Sequence, residues 1–193
     1  PGPPGGDAAG VVVREATVTA DAATLPLAVG HSAFGLCHAP LASTARALVS
    51  FLARKPDALR YEEACTLPVT WSTAHVALSR ANASARCSLV VHAAAGGVGL
   101  KAIEYAQWLS LSNMGTAGGV QKHRQLRFLG LHGHGSSRDG AGFACGIATL
   151  CGARRAHAVL NSLSLDFIAA SFALLGERAA FGEIGKRSIW SSQ

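Results

Sequence analysis

The segment Ala94-Ala95-Gly96-Gly97-Val98-Gly99 constrains the fold of this 193-residue chain more than any other. It follows a short apolar run, Leu89-Val90-Val91-His92-Ala93, suited to a buried parallel strand. After it Val98, Ala102, Tyr105, Ala106 and Leu109 recur at helical spacing, with Lys101, Glu104 and Gln107 on the other side. Strand, small-residue turn and amphipathic helix in that order are the first half of a βαβ unit. With alanine in first place the turn reads A-x-G-x-x-G, a variant of the dinucleotide fingerprint. Small residues are needed there because the chain turns tightly, its backbone approaches a pyrophosphate and the helix packs hard on the strand. The backbone N–H groups at the helix N-terminus then face the anion. These residues predict a turn that holds the pyrophosphate of a nicotinamide cofactor.

In NAD-preferring folds of this kind an acidic residue about 20 positions further on binds the adenosine ribose. No Asp or Glu occurs between Tyr105 and Arg138, whereas Lys122, His123, Arg124 and Arg127 fall in that window. A missing acid with nearby cations predicts NADP(H), whose 2′-phosphate pairs with basic side chains.

The remaining chain extends the pattern. Ala158-Val159-Leu160 predicts a further strand, Phe167–Leu175 a helix stopped by Gly176 as its C′ residue, and Phe181–Ile184 a strand ending at Gly185. Strands alternating with helices predict an α/β fold with a Rossmann-like, doubly wound parallel sheet. Residues 8 to 36 read as β-rich, and helical character starts at Tyr61-Glu62-Glu63-Ala64 and resumes from Trp71 to Leu78 after Pro68. The expected division is a partial β-rich domain over 1–60 and the nucleotide domain over 61–193. Pro1 to Gly6 lack the features of a signal peptide and no initial Met is present, so the chain reads as a piece of something longer.

Composition excludes several classes. No apolar run approaches the roughly 20 residues of a membrane span. The net charge of +6 comes from scattered basic residues without interleaved aromatics, which argues against nucleic acid. Five cysteines without a Cys-x-x-Cys pair predict free thiols, no metal site and a reducing, cytoplasmic setting. His132-Gly133-His134 reads as a loop, Asp139 as a turn or helix cap, His92 as a satisfied core histidine, and Trp71 and Trp108 as core packing.

Four motifs taken together carry a family resemblance: Leu67-Pro68-Val69-Thr70-Trp71-Ser72-Thr73-Ala74, the segment His92–Gly99, Val159-Leu160-Asn161-Ser162-Leu163 and Glu183-Ile184-Gly185-Lys186. In this order and spacing the chain resembles the enoyl-reductase domain of polyketide and animal-type fatty acid synthases, a branch of the medium-chain dehydrogenase/reductase superfamily. The resemblance implies a GroES-like substrate domain, of which 1–60 would be a remnant, joined to a C-terminally truncated Rossmann-like domain. It implies NADPH-dependent reduction of the C=C bond of an enoyl thioester on an acyl carrier protein, beside other synthase domains. Thr73 would lie near the cofactor. Ala94 and Gly99 would shape the turn, and Gly96, Gly97 and Val98 would cradle the pyrophosphate. Lys122, with Arg124, would face the 2′-phosphate. Asn161, Ser162 and Leu163 would form the loop beside ribose and nicotinamide, with Gly185 close by. Lys186 would be catalytic, protonating the α carbon or stabilising the enolate. The alternatives are a non-catalytic structural remnant and a free-standing quinone or alkene reductase.

The chain departs from the family pattern in places. Gly30-His31-Ser32-Ala33 lacks a turn carboxylate, Ser110-Leu111-Ser112-Asn113-Met114 is polar where a second strand is expected, and Gly133 and Gly135 are expected to interrupt the third.

Overall fold

The computed structural model describes residues 5–14, 27–38, 40–131, 133–151, 155–164 and 166–185. Between Ser72 and Thr73 the chain divides into two packing units. In the first, β1 (Asp7–Val11), β2 (Ser32–Leu36) and β3 (Leu52–Arg54) form an antiparallel sheet in the order β1-β2-β3. Helix α1 (Tyr61–Ala64) starts with a capping box, in which the Glu63 carboxylate accepts the Arg60 backbone N–H at 2.9 Å. Helix α2 (Pro68–Arg80) begins at its proline, where the missing N–H costs no helical bond.

The second unit alternates strand and helix as the sequence predicts: β4 (Ser88–Val91), α3 (Gly97–Trp108), β5 (Ser112–Ala117), α4 (Val120–Phe128), β6 (Gly133–Ser136), α5 (Gly140–Cys151), β7 (Ala156–Asn161), α6 (Asp166–Leu174) and β8 (Leu175–Glu183). All five strands are parallel, in the order β6-β5-β4-β7-β8. β4 therefore lies at the centre, and the chain winds outward from it in both directions. Its side chains enter two cores: Leu89 and Val91 join Leu78, Ile103, Leu126 and Leu131, while Val90 joins Phe143, Ile147, Phe167 and Leu174. Burial on both faces explains why β4 reads as an unbroken apolar run. The fold is α/β, a Rossmann-like parallel sheet with a small antiparallel sheet. Among the described residues no helix is long and apolar enough to cross a membrane.

Several expectations need correction. Gly176 does not stop a helix: α6 ends at Leu174 and passes directly into β8, so Gly176 lies inside a nine-residue strand. The irregularity falls instead at a register shift against Ala156 and Ala158, with Arg178 at a φ of 60°. Trp108 does not enter the core. As the last residue of α3 it is 75% exposed and stacks on Tyr105 with ring centroids 5.5 Å apart. Gly133 and Gly135 lie within β6 and do not interrupt it, because Met114 and Phe143 pack over the space a side chain would fill. His132 lies outside the described residues.

The polar stretch before β5 is partly absorbed by a turn at Ser110, and Ser112 is exposed where the strand begins. Asn113 is not absorbed: its Oδ1 is buried with no hydrogen-bond partner among the described residues. An unmet buried acceptor costs about 1–3 kcal/mol. Asn113→Val is accordingly expected to stabilise the chain by about 1 kcal/mol in urea denaturation. A variant less stable than the parent would contradict this.

Candidate nucleotide-binding site

In an open parallel sheet, ligands bind beyond the carboxyl ends of the strands, where the winding direction reverses. Here that point lies between β4 and β7, and the turn from Ala94 to Gly99 rises from the end of β4. The turn is anchored from below. Ala94 is fully buried and donates its N–H to Thr116 O at 2.8 Å, and the Ala93 N–H reaches Thr116 Oγ1 at 3.1 Å. Ala93 turns the chain with a φ of 48°. Gly96 then caps α3 in extended backbone, so the N–H groups of Gly97, Val98 and Gly99 fall in the first helical turn, which supplies them no acceptor.

Gly99 is fixed by contact. A Cβ there would lie 2.7 Å from Ala93 O, Ala94 Cα and Ala94 O, all backbone atoms. Only glycine lets α3 pack this tightly on the turn, and that closeness aims the helix N-terminus at the switch point. The cradle fits an anionic diphosphate: small residues, open amides and the positive end of a twelve-residue helix.

At the end of β5, where an NAD-type carboxylate is expected, the chain has Gly118 and Gly119. A methyl at Gly118 would come within 3.1 Å of Ser137 Oγ and 3.2 Å of Arg138 Nε, so the Arg138 guanidinium lies over this strand end. Arg138 follows β6, and no local signal in the sequence marks it for this place. It comes from a different strand than the turn, and only the β5–β6 pairing brings it there. Lys122 and Arg124 are both exposed on α4. Two positions on a helix are about 200° apart, so these two side chains leave α4 on different sides.

Asn161 is the last residue of β7 and fully buried. Its Nδ2 donates to Leu163 O at 2.8 Å and to Glu183 Oε2 at 2.6 Å, and its Oδ1 accepts the Leu163 N–H at 3.3 Å. Ser162 Oγ donates to His92 O at 3.2 Å, which ties this loop to the end of β4. Gly185 follows β8, its N–H donated to Glu183 Oε1 at 2.6 Å. Turn, Gly118 end, Asn161–Leu163 loop and Gly185 thus share one edge of the sheet. Thr73 is half-buried on α2, next to Ala74, which packs into the core with Leu78. Lys186 lies outside the described residues.

Beneath the turn lies a polar network centred on His92, as its reading as a satisfied core histidine requires. Ser171 Oγ donates to Phe167 O, so it accepts from His92 Nε2 at 2.8 Å. His92 Nδ1 is then the acceptor facing Thr116 Oγ1 at 3.4 Å. The ring packs against Phe143 and Phe167 at centroid distances of 4.8 and 5.7 Å. Burial lowers the His92 pKa from 6.5 to about 4. The unfolded chain takes up this proton near 6.5 and the folded chain only near 4. Stability from this source is intact above 6.5 and falls as the pH drops towards 4, by about 3 kcal/mol in all. Denaturation at pH 7 and pH 4.5 should show a larger loss for the parent than for His92→Gln, and equal losses would contradict it. Asp139, also as expected, caps α5, its Oδ1 accepting the Gly142 N–H at 2.9 Å.

No family model matches the chain. The chain is 38% identical over 195 residues to the reducing polyketide synthase rads1 of Floropilus chiversii, spanning 96% of itself and 8% of that protein. Among solved structures, the CurK enoyl reductase matches at a TM-score of 0.86 and 32% identity, over 96% of this chain and 55% of that one. A mycobacterial protein, Rv1454c, complexed with NADPH matches at 0.85 and 26% identity, over 95% and 57%. The nucleotide-binding subdomain of the enoylreductase domain of PpsC from Mycobacterium tuberculosis matches at 0.59 and 32% identity, over 62% and 66%. The chain thus spans about half the length of the first two solved structures and a small part of the synthase. With the parallel sheet, its switch-point turn and these likenesses together, the chain belongs to the enoyl-reductase domains of polyketide synthases, in the medium-chain dehydrogenase/reductase superfamily.

Proposed function

We propose that the chain is the NADPH-binding part of an enoyl reductase that reduces the C=C bond of an enoyl thioester held on an acyl carrier protein within a polyketide synthase. The observation that carries this is the glycine turn at the switch point of a chain in this family. NADPH, when bound, supplies the hydride that adds to the β carbon. Gly97 and Val98 present open amides to the pyrophosphate, whereas the Gly96 N–H closes the turn on Ala93 O at 2.8 Å, and Ala94 and Gly99 set the distance between helix and strand. Arg138, with Lys122, faces the 2′-phosphate, and Arg124, on another side of α4, does not. Thr73, Asn161, Ser162, Leu163 and Gly185 line the ribose and nicotinamide end. Lys186 gives its proton to the α carbon or stabilises the enolate through its ammonium. Residues 1–60 contribute the substrate domain, and the neighbouring partners are other synthase domains.

For the 2′-phosphate, Arg138→Ala is expected to weaken NADPH binding about tenfold, the loss of one charge-assisted contact, with NADH binding unchanged. Equal losses for both cofactors in calorimetric titrations would remove Arg138 from this role. The reaction itself is tested with crotonyl thioester and a quinone, following NADPH oxidation and, with deuterated NADPH, the label in the product. Thioester turnover with deuterium at the β carbon is expected. Turnover of the quinone alone would favour the quinone-reductase reading, and cofactor binding without turnover of either would favour the non-catalytic one.

A further inference from the structure

The carboxylate of Glu183 has a role that the motif around Lys186 does not by itself assign. Glu183 ends β8, and its two oxygens accept from two different segments: Oε2 from Asn161 Nδ2 and Oε1 from the Gly185 N–H, each at 2.6 Å. The Ile184 N–H adds a third tie, to Asn161 O at 2.9 Å. Asn161 Nδ2 uses its other proton on Leu163 O, so the loop after β7 and the chain leaving β8 are held as one piece. Lys186 is the next residue after Gly185.

We infer that Glu183 is a positioning residue, clamping the backbone from which Lys186 departs to the Asn161–Leu163 loop. The inference rests on the proposed role of Lys186. Its chemistry is specific, because both partners are donors and the side chain must accept at both ends. A carboxylate does so. An amide of the same size cannot, since its NH2 group would face a donor whichever way it is turned. Glu183→Gln therefore breaks one tie at nearly constant shape. Glu183→Asp is too short for Asn161 but keeps two acceptors and closes an Asx turn on the Gly185 N–H.

Two measurements on the same purified variants decide the matter. In Glu183→Ala, which removes both ties, the Gly185 amide is expected to exchange with solvent about tenfold faster than in the parent, with exchange largely restored in Glu183→Asp, which keeps the Gly185 tie. The kcat for NADPH-dependent thioester reduction is expected to fall about tenfold in Glu183→Ala and less in Glu183→Gln, which keeps one tie at nearly constant shape, while the Kd for NADPH stays within about threefold. Unchanged Gly185 exchange overturns the clamp whether or not the parent turns over thioester. An unchanged kcat in Glu183→Ala, or a kcat, Kd and Tm that fall together without recovery in Glu183→Gln, overturns the positioning role. A parent without thioester turnover counts against the proposed reaction, and the exchange measurement still decides the clamp.

Discussion

Gly99→Ala is expected to destabilise the chain by about 3 kcal/mol and to weaken NADPH binding by about 100-fold. The added methyl meets three backbone atoms at 2.7 Å, so no side chain can swing away to admit it. Either α3 lifts from the turn or the turn after Ala93 opens, and both move the amides of Gly97 and Val98 away from the proposed pyrophosphate position. Losing two charge-assisted hydrogen bonds costs about 3 kcal/mol, which sets the affinity change. Gly146→Ala is the matched control. It lies inside α5 with nothing within 4 Å of the added carbon, so helix propensity favours the alanine by about 1 kcal/mol. Denaturation and calorimetric titration read both effects. If Gly99→Ala keeps the parent's stability and affinity, the turn is not packed as described.

Lys186→Ala should lower thioester reduction by at least about 100-fold, the range of a lost general acid or of lost charge stabilisation at an enolate. NADPH affinity should hardly change, because the proposed site of the pyrophosphate is the turn after β4 and not this lysine. The split between kcat and Kd separates chemistry from binding. Retained turnover in Lys186→Ala would remove the residue from the reaction and leave the cofactor turn unaffected.

Much of the nucleotide unit is legible in the sequence because its signals are local. Leu89–Val91, the small-residue turn and the period of Val98, Ala102 and Ala106 lie within about one βα unit, and each obeys its own geometry. The Asp139 cap and the buried His92 are local as well. What the sequence hides depends on neighbours far along the chain. Arg138 reaches Gly118 only through the pairing of β5 with β6, and Glu183 meets Asn161 only because β7 and β8 are adjacent. Gly133 looks like a strand breaker until Met114 is seen to occupy its space. Gly176 looks like a helix stop because a C′ glycine is the common ending, yet here the helix runs straight into the next strand. Trp108 has the composition of a core residue, and only the end of α3 shows that it points to solvent.

The acid-free window and the guanidinium over Gly118 both support the proposed 2′-phosphate contact, one from sequence and one from packing. That convergence is open to a direct test. Calorimetric titration of the chain with NADPH and with NADH, at one ionic strength, should give NADPH at least about tenfold the tighter, as expected for one or more charge-assisted phosphate contacts. Equal affinities, tighter NADH, or no binding of either would contradict the assignment of this switch-point turn to NADPH.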